Sequence, residues 1–208
     1  MNKYHKIYNL RKINPETKKL TKEFYLPEFE LLKDNLWYAK EKIDGTNIRL
    51  CWYGDRIEIK GKTEKSDIPK DLLNNLYKMC ENRIKLFKEV FGDKEVCIYG
   101  EGYGAKIQKG GGLYRKDQGF ILFDVMIEGY WLSWDNALSV ASSLKLKTVP
   151  LIISSSLLDI EKHVINGFNS QVSEKTKQAE GVIALPCGEF MNRHGDRIIV
   201  KIKTERYK

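Results

Sequence analysis

A lysine set between β-prone residues and an abrupt Asp-Gly is an uncommon place for an exposed charge. The segment EKIDGTN, Glu41 to Asn47, holds one at Lys42. An amine there is a candidate for chemistry, although a Lys-Ile-Asp-Gly tetrapeptide on its own reads more readily as a plain turn. Two glycine clusters, Gly100-Glu101-Gly102-Tyr103-Gly104 and Gly110-Gly111-Gly112, suggest phosphate loops, and neither fits. A dinucleotide fingerprint needs GxGxxG between the strand and helix of a βαβ unit, and the GxxxxGK[ST] pattern is absent. The triple glycine is expected to form a mobile surface loop, with a moving lid as the functional alternative. Cys51, Cys80, Cys97 and Cys187 are far apart, with no CxxC pair, so buried free thiols are expected rather than a structural zinc site. His5, His163 and His194 are isolated, which suits surface or packing roles.

The elements that must position these residues are partly readable. LPEFELLKDNLWYAK suggests a short helix leading into a strand. From Trp37 to Lys60 the text reads as WYAKEKIDG and then NIRLCWYGDRIEIK, where Gly54-Asp55 between alternating segments predicts a hairpin. Pro69 to Val90 places Leu72, Leu73, Leu76, Met79, Ile84, Leu86, Phe87 and Val90 near helical spacing, with Pro69 at the start and Gly92 past the end. This is the longest predicted helix. EVCIYGEGYG and FILFDVMI read as buried strands around the glycine-rich loop, and further helices are expected over Ser133–Leu144 and near Leu157–Asn166. AEGVIAL and DRIIVKIKT close the chain as strands. Strands in runs and hairpins, without regular β-α-β alternation, predict an α+β fold on antiparallel sheets.

The 208 residues suit a single domain, and no internal repeat or proline- or serine-rich linker marks a second. Hydrophobic residues make up 42%, too many for a disordered chain. Thirty-six Lys plus Arg against 28 Asp plus Glu leave +8, a balance that favours polyanionic partners such as nucleic acid or nucleotides, or simply a solvated basic surface. No run approaches a membrane span and the N-terminus has no apolar signal core, so the expected location is cytoplasmic, in the host cell's cytoplasm if the protein is viral.

What raises the standing of EKIDGTN is its company downstream, in order: YGEGYG, GFILFDV, AEGVIAL and IIVKIK. With these the chain resembles the covalent nucleotidyltransferase superfamily of polynucleotide ligases and mRNA capping enzymes over most of residues 40–203. KIDG is similar to its motif I (KxDG), YGE to motif III, FILFDV to motif IIIa, EGVIAL to motif IV and KIK to motif V. Within the superfamily, EKIDGTN most resembles phage-type ATP-dependent RNA ligases, in which an Asn stands two residues after the glycine, as Asn47 does here. IKGKTEKSDIPKDL resembles the GGRTDxxxIP segment of the small phage enzymes, but Lys62 stands where arginine is usual. Lysine keeps the charge and loses the bidentate fork for phosphate. The larger relatives carry a further domain after motif V, whereas here five residues follow Lys203, so the resemblance predicts the nucleotidyltransferase core alone.

The resemblance implies a set of roles. Lys42 would be the nucleophile on the α-phosphate of ATP, which requires a neutral amine although a free lysine titrates near ~10.4. Lys201 and Lys203, if they converge on it, would disfavour its ammonium form and stabilise charge on the phosphate. Glu180 and Glu101 would supply hard oxygens for Mg²⁺ or Mn²⁺, with Glu101 at the ribose or the metal shell. Asp44 would position the ribose or a metal-bound water, and Gly45, Asn47 and Lys62 would complete the ATP site. Glu41 would read the adenine edge. Alternation in FILFDV puts Phe120 and Phe123 on opposite faces, so that one stacks on adenine, with Phe123 favoured, and the other enters the core.

The implied activity is an ATP-dependent RNA ligase that forms Lys42-AMP, passes AMP to an RNA 5′-phosphate and directs a 3′-hydroxyl onto the activated end. Alternatives are a DNA ligase-like enzyme, a GTP-using capping enzyme and, from another class, an inactive nucleic-acid-binding module. Intact Lys42, Glu180, Lys201 and Lys203 speak against the last.

Overall fold

A computed structural model describes residues 3–188 and 190–207. Along the chain run β1 (Tyr8–Asn9), β2 (Arg11–Ile13), β3 (Leu20–Phe24), α1 (Pro27–Leu31), β4 (Trp37–Glu41), β5 (Thr46–Trp52) and β6 (Ile57–Lys60). There follow α2 (Lys70–Glu81), α3 (Ile84–Phe91), β7 (Val96–Gly104), α4 (Gly111–Tyr114), β8 (Gln118–Ile127), β9 (Tyr130–Trp131) and α5 (Trp134–Ser143). The last elements are β10 (Leu151–Ser155), α6 (Leu157–Asn166), β11 (Gly181–Pro186) and β12 (Val200–Lys203), then a 3-10 turn at Thr204–Tyr207. Helices and mostly antiparallel sheets make the fold α+β, as the sequence predicts. The elements divide into two compact units.

One unit is built on Asp44–Val149, with the residues up to Tyr4 and Ser173–Lys175. Its antiparallel sheet has the order β6-β5-β7-β8-β9, and the β5–β6 hairpin turns at Gly54-Asp55 as expected. Alternation along β5 sends Ile48, Leu50 and Trp52 into a core with Leu72, Leu76 and Cys80 of α2. Asn47, Arg49 and Cys51 lie on the other face.

The single long helix expected from Pro69 to Val90 is two helices. Arg83 breaks it: its guanidinium donates to the carbonyls of Leu144 (3.0 Å), Lys145 (3.1 Å) and Met79 (3.0 Å). Satisfying those carbonyls fixes Arg83 outside helical geometry, with φ −125° and ψ −1°. The triple glycine is not the expected loose loop either. Gly111 opens the helical turn α4, whose Tyr114 is 1% exposed and packs edge-on against Tyr103 at 5.9 Å. The Tyr114 hydroxyl also accepts from the Asp44 N–H at 3.3 Å, which ties this segment to the turn that follows Lys42.

The other unit comprises residues 5–43, 150–172 and 176–208. Its sheet has the order β1-β12-β11-β4-β10, antiparallel except for the parallel β1–β12 pair, and β2–β3 form a separate hairpin. Trp37 and Ala39 of β4, Val182 and Ala184 of β11, and Val200 and Ile202 of β12 point into a core closed by Leu157, Ile160 and Val164 of α6. The Ser156 hydroxyl caps α6 by accepting from Asp159 N–H at 3.2 Å, so the helix starts where the sequence places it.

Candidate active site

β4, β11 and β12 lie side by side, and alternation turns Lys201 and Lys203 away from the core that holds Val200 and Ile202. Register sets Lys203 opposite Gly181, whose carbonyl accepts from the Lys42 N–H at 2.9 Å. One rung on, Lys201 lies opposite Ile183. Gly181 is indispensable here: its φ is +146°, and a Cβ would meet the Ile202 carbonyl oxygen at 2.0 Å. The preceding residue, Glu180, is thereby fixed at the head of β11.

Glu180 holds two cations. Its Oε2 accepts from Lys42 Nζ at 2.6 Å and its Oε1 faces Lys203 Nζ at 2.8 Å. Lys203 thus stands beside Lys42 across a shared carboxylate, while Lys201 lies further along β12. Burial pulls the Lys203 ammonium down, but its hydrogen bond and charge attraction to Glu180, with Glu205 adding, more than reverse this and leave its pKa raised.

Glu41 lies on the same face of β4 as Trp37 and Ala39 and is 2% exposed. Its Oε2 accepts from the Gln171 N–H at 2.8 Å, whereas its Oε1 is buried with no hydrogen-bond partner. Burial pushes this carboxyl above the usual carboxylate range, against the pull of hydrogen bonds from Ser170 and Gln171.

The remaining candidates lie in the unit built on Asp44–Val149. Gly45 packs so closely on β7 that a Cβ would stand 2.3 Å from the Gly102 carbonyl oxygen and 2.8 Å from Glu101 Cγ. Asn47 of β5 is directly paired with Glu101 of β7, and its Oδ1 is buried without a hydrogen-bond partner. Phe120 is core, 5% exposed among Ile48 and Leu122. A bulge opposite Tyr99 and Gly100 sets Phe123 out of the β7–β8 register, and its ring meets Tyr4 edge-on at 5.2 Å. Lys62 is exposed on the loop after β6, a loop held from beneath by Arg49, whose Nε donates to the Gly61 carbonyl at 2.8 Å.

Sequence reasoning missed Arg49, and it missed Tyr114 and Gln171, which brace Asp44 and Glu41 across chain separations of 70 and 130 residues that no local pattern announces. Among the described residues, no group of three or more His, Cys, Asp or Glu gathers as a metal cluster. Cys51, Cys80 and Cys97 are buried free thiols, as expected, and Cys187 is free but exposed. No described helix is long and apolar enough to cross a membrane.

A family model described as RNA ligase matches residues 35–203. The structure is similar to Naegleria gruberi RNA ligase: a lysine-to-alanine mutant with ATP and Mn matches with TM-score 0.67 at 17% identity, covering 97% of this chain and 59% of that one. A lysine-to-methionine mutant of the same enzyme with AMP and Mn gives TM-score 0.66 at 17% identity, covering 97% and 60%. The enzyme with PPi gives 0.62 at 18% identity, again covering 97% and 60%. This chain thus spans about 60% of the length of those proteins.

Proposed function

The chain belongs to the RNA ligase family, and from that premise we propose that it is an ATP-dependent RNA ligase core working through a lysyl-AMP intermediate. The observation that carries this is the row Lys42–Glu180–Lys203, in which one carboxylate holds two ammonium groups at 2.6 and 2.8 Å. A lysine at a strand end, kept beside a second lysine by a shared carboxylate, is suited to meet a phosphate and then to attack it.

In the first step the Lys42 amine, released from Glu180 and relieved of a proton, attacks the α-phosphorus of ATP. A P–N bond forms, the α–β bridging P–O bond breaks and pyrophosphate leaves. An RNA 5′-phosphate oxygen then takes the AMP from Lys42. Finally a 3′-hydroxyl attacks that 5′-phosphate, the phosphodiester forms and AMP leaves. Lys201 and Lys203 stabilise negative charge on the phosphates. Asp44, Gly45, Asn47, Lys62 and Glu101 serve the ribose and phosphates, and a phenylalanine of β8 serves the base.

The buried, unpaired Oε1 of Glu41 supports adenine as that base. It is an acceptor awaiting a donor, and the 6-amino group of adenine can supply one. Mg²⁺ or Mn²⁺ takes one or two carboxylates and completes its shell with substrate phosphates and water. Glu180 would hold it. Each Glu180 oxygen already faces a cation, so its chemistry fits. Such an ion supplies charge neutralisation to the phosphates. RNA ends are the proposed partners, and the buried thiols fit a reducing, cytoplasmic setting.

The test is incubation with α-labelled ATP or GTP and Mg²⁺, then with RNA carrying 5′-phosphate and 3′-hydroxyl ends. Label retained on the protein from ATP alone, followed by joined RNA, is expected. Labelling by GTP, or joining of DNA 3′ ends in preference to RNA ones, would contradict it.

A further inference from the structure

A groove of about 380 Å³ opens on the unit built on Asp44–Val149, and none of the residues assigned above lines it. One wall is a stripe of α2. Asp71, Asn74, Asn75 and Lys78 follow the i, i+3, i+4, i+7 spacing of a single helix face, beside the buried stripe of Leu72, Leu76 and Cys80. The other wall is the turn after β7 and the start of β8, carrying Lys106, Lys116 and Gln118. Lys106 holds φ +64°, a region side-chain-bearing residues seldom occupy, within a turn closed by the Ile107 N–H on the Gly104 carbonyl at 3.3 Å. The same turn reaches the segment that follows Lys42, where Gln108 Nε2 donates to the Gly45 carbonyl at 3.0 Å.

The lining favours a polyanion. Three lysines face two aspartates, and Asp117 is already held on both oxygens by Arg115 at 2.5 and 2.8 Å. Nothing aromatic, and no apolar side chain besides Ala105, lines the groove. It therefore offers no platform for stacking a base, and beside the Asp71 carboxylate it presents ammonium and amide groups suited to phosphate and sugar. Gln118 adds a second, independent feature. It is 9% exposed, its Nε2 donates to the Ala105 carbonyl at 2.8 Å, and its Oε1 is buried without a hydrogen-bond partner. An unmatched acceptor on such a wall is relieved by a hydroxyl donor, which a ribose 2′-OH is and a deoxyribose lacks.

We infer that this groove grips the sugar–phosphate backbone of a single RNA strand, with Lys78, Lys106 and Lys116 at phosphates and Gln118, Asn74 and Asn75 at the sugars. Its choice of RNA rests on the proposed ligase function, and its preference for a polyanion rests on the lining alone. Binding there is sequence-independent, and it orders a strand beside the turn that the Gln108 contact braces.

The experiment measures binding of a short labelled single-stranded RNA to the full chain by fluorescence anisotropy across a salt series, without ATP. Replacing the three lysines together (Lys78→Ala, Lys106→Ala, Lys116→Ala) should lower the slope of log affinity against log salt by about 2 and weaken binding at least about tenfold at low salt. Covalent AMP formation by the same preparation should stay at the wild-type level, which shows that it is folded. A milder pair, Lys78→Gln with Lys116→Gln, should give an intermediate loss. Unchanged affinity and slope in both variants overturn the groove assignment, and equal wild-type affinity for DNA of the same sequence overturns the choice of RNA. A wild type that shows the lysine-dependent slope but never takes AMP would overturn the ligase reaction and leave the groove standing.

Discussion

Glu180 and Glu41 stand in one unit and face opposite electrostatic situations. Both Glu180 oxygens are neutralised by ammonium groups, whereas Glu41 keeps one buried oxygen unpaired and titrates above its usual range because of that burial. The sign of the Glu41 effect follows directly. With its folded pKa raised, the ionised form is the costly one, so its penalty to stability is present above that pKa and fades as pH falls through it toward the unfolded value near ~4.3. A nucleotide that donates to Oε1 favours the ionised form, so its binding should release a proton in mildly acidic solution. Calorimetry in buffers of different ionisation enthalpy should detect that release for ATP, and Glu41→Gln should abolish it. No buffer dependence in the wild type would remove Glu41 from base recognition. Lys203 behaves in the reverse sense: its raised pKa gives stability that is whole below the ordinary lysine value near ~10.4 and is lost as alkali deprotonates it.

At the scale of elements, the candidate site depends on how tightly β11 and β12 approach each other beside Glu180. Gly181→Ala would put a methyl 2.0 Å from the Ile202 carbonyl oxygen at a φ of +146°. Relief requires the strands to part, at a cost of about 1–3 kcal/mol. For a chain of this size that lowers the melting temperature by roughly 2–4 °C per kcal/mol, and covalent AMP formation should fall with it because Glu180 moves. A variant with wild-type melting and labelling would show that this close approach is dispensable.

Local pattern made several of these elements legible. The Gly54-Asp55 turn, the helix near Leu157–Asn166 and the closing strand that carries Lys201 and Lys203 are each written within a few residues. The break at Arg83 is not, because the carbonyls of Leu144 and Lys145 that meet its guanidinium come from the residues just after α5. Nor is the bulge at Phe123, which strict alternation cannot register. α4 was hidden for a similar reason, since Tyr114 is held by partners as distant in sequence as Asp44 and Tyr103. β10, which pairs with β4, carries no clear alternation of burial and was not predicted.

For the whole molecule, the surplus of +8 acquires a direction. Part of it stands as Lys42, just past the end of β4, with Lys201 and Lys203 of β12, and part as Lys78, Lys106 and Lys116 along a groove. The first set suits a nucleotide's phosphates and the second a nucleic-acid backbone. Every role assigned to the first set depends on Lys42 being the residue that takes AMP. The most direct measurement is mass spectrometry of the intact chain and its peptides after incubation with ATP and Mg²⁺. One added AMP is predicted, on the peptide containing Lys42, with none on Lys42→Ala, whose melting temperature should show it still folded because Lys203 continues to pair Glu180. The same variant should still join a pre-adenylylated RNA strand to a 3′-hydroxyl, since that step does not use the amine. AMP on any other residue, or undiminished labelling of Lys42→Ala, would contradict the assignment.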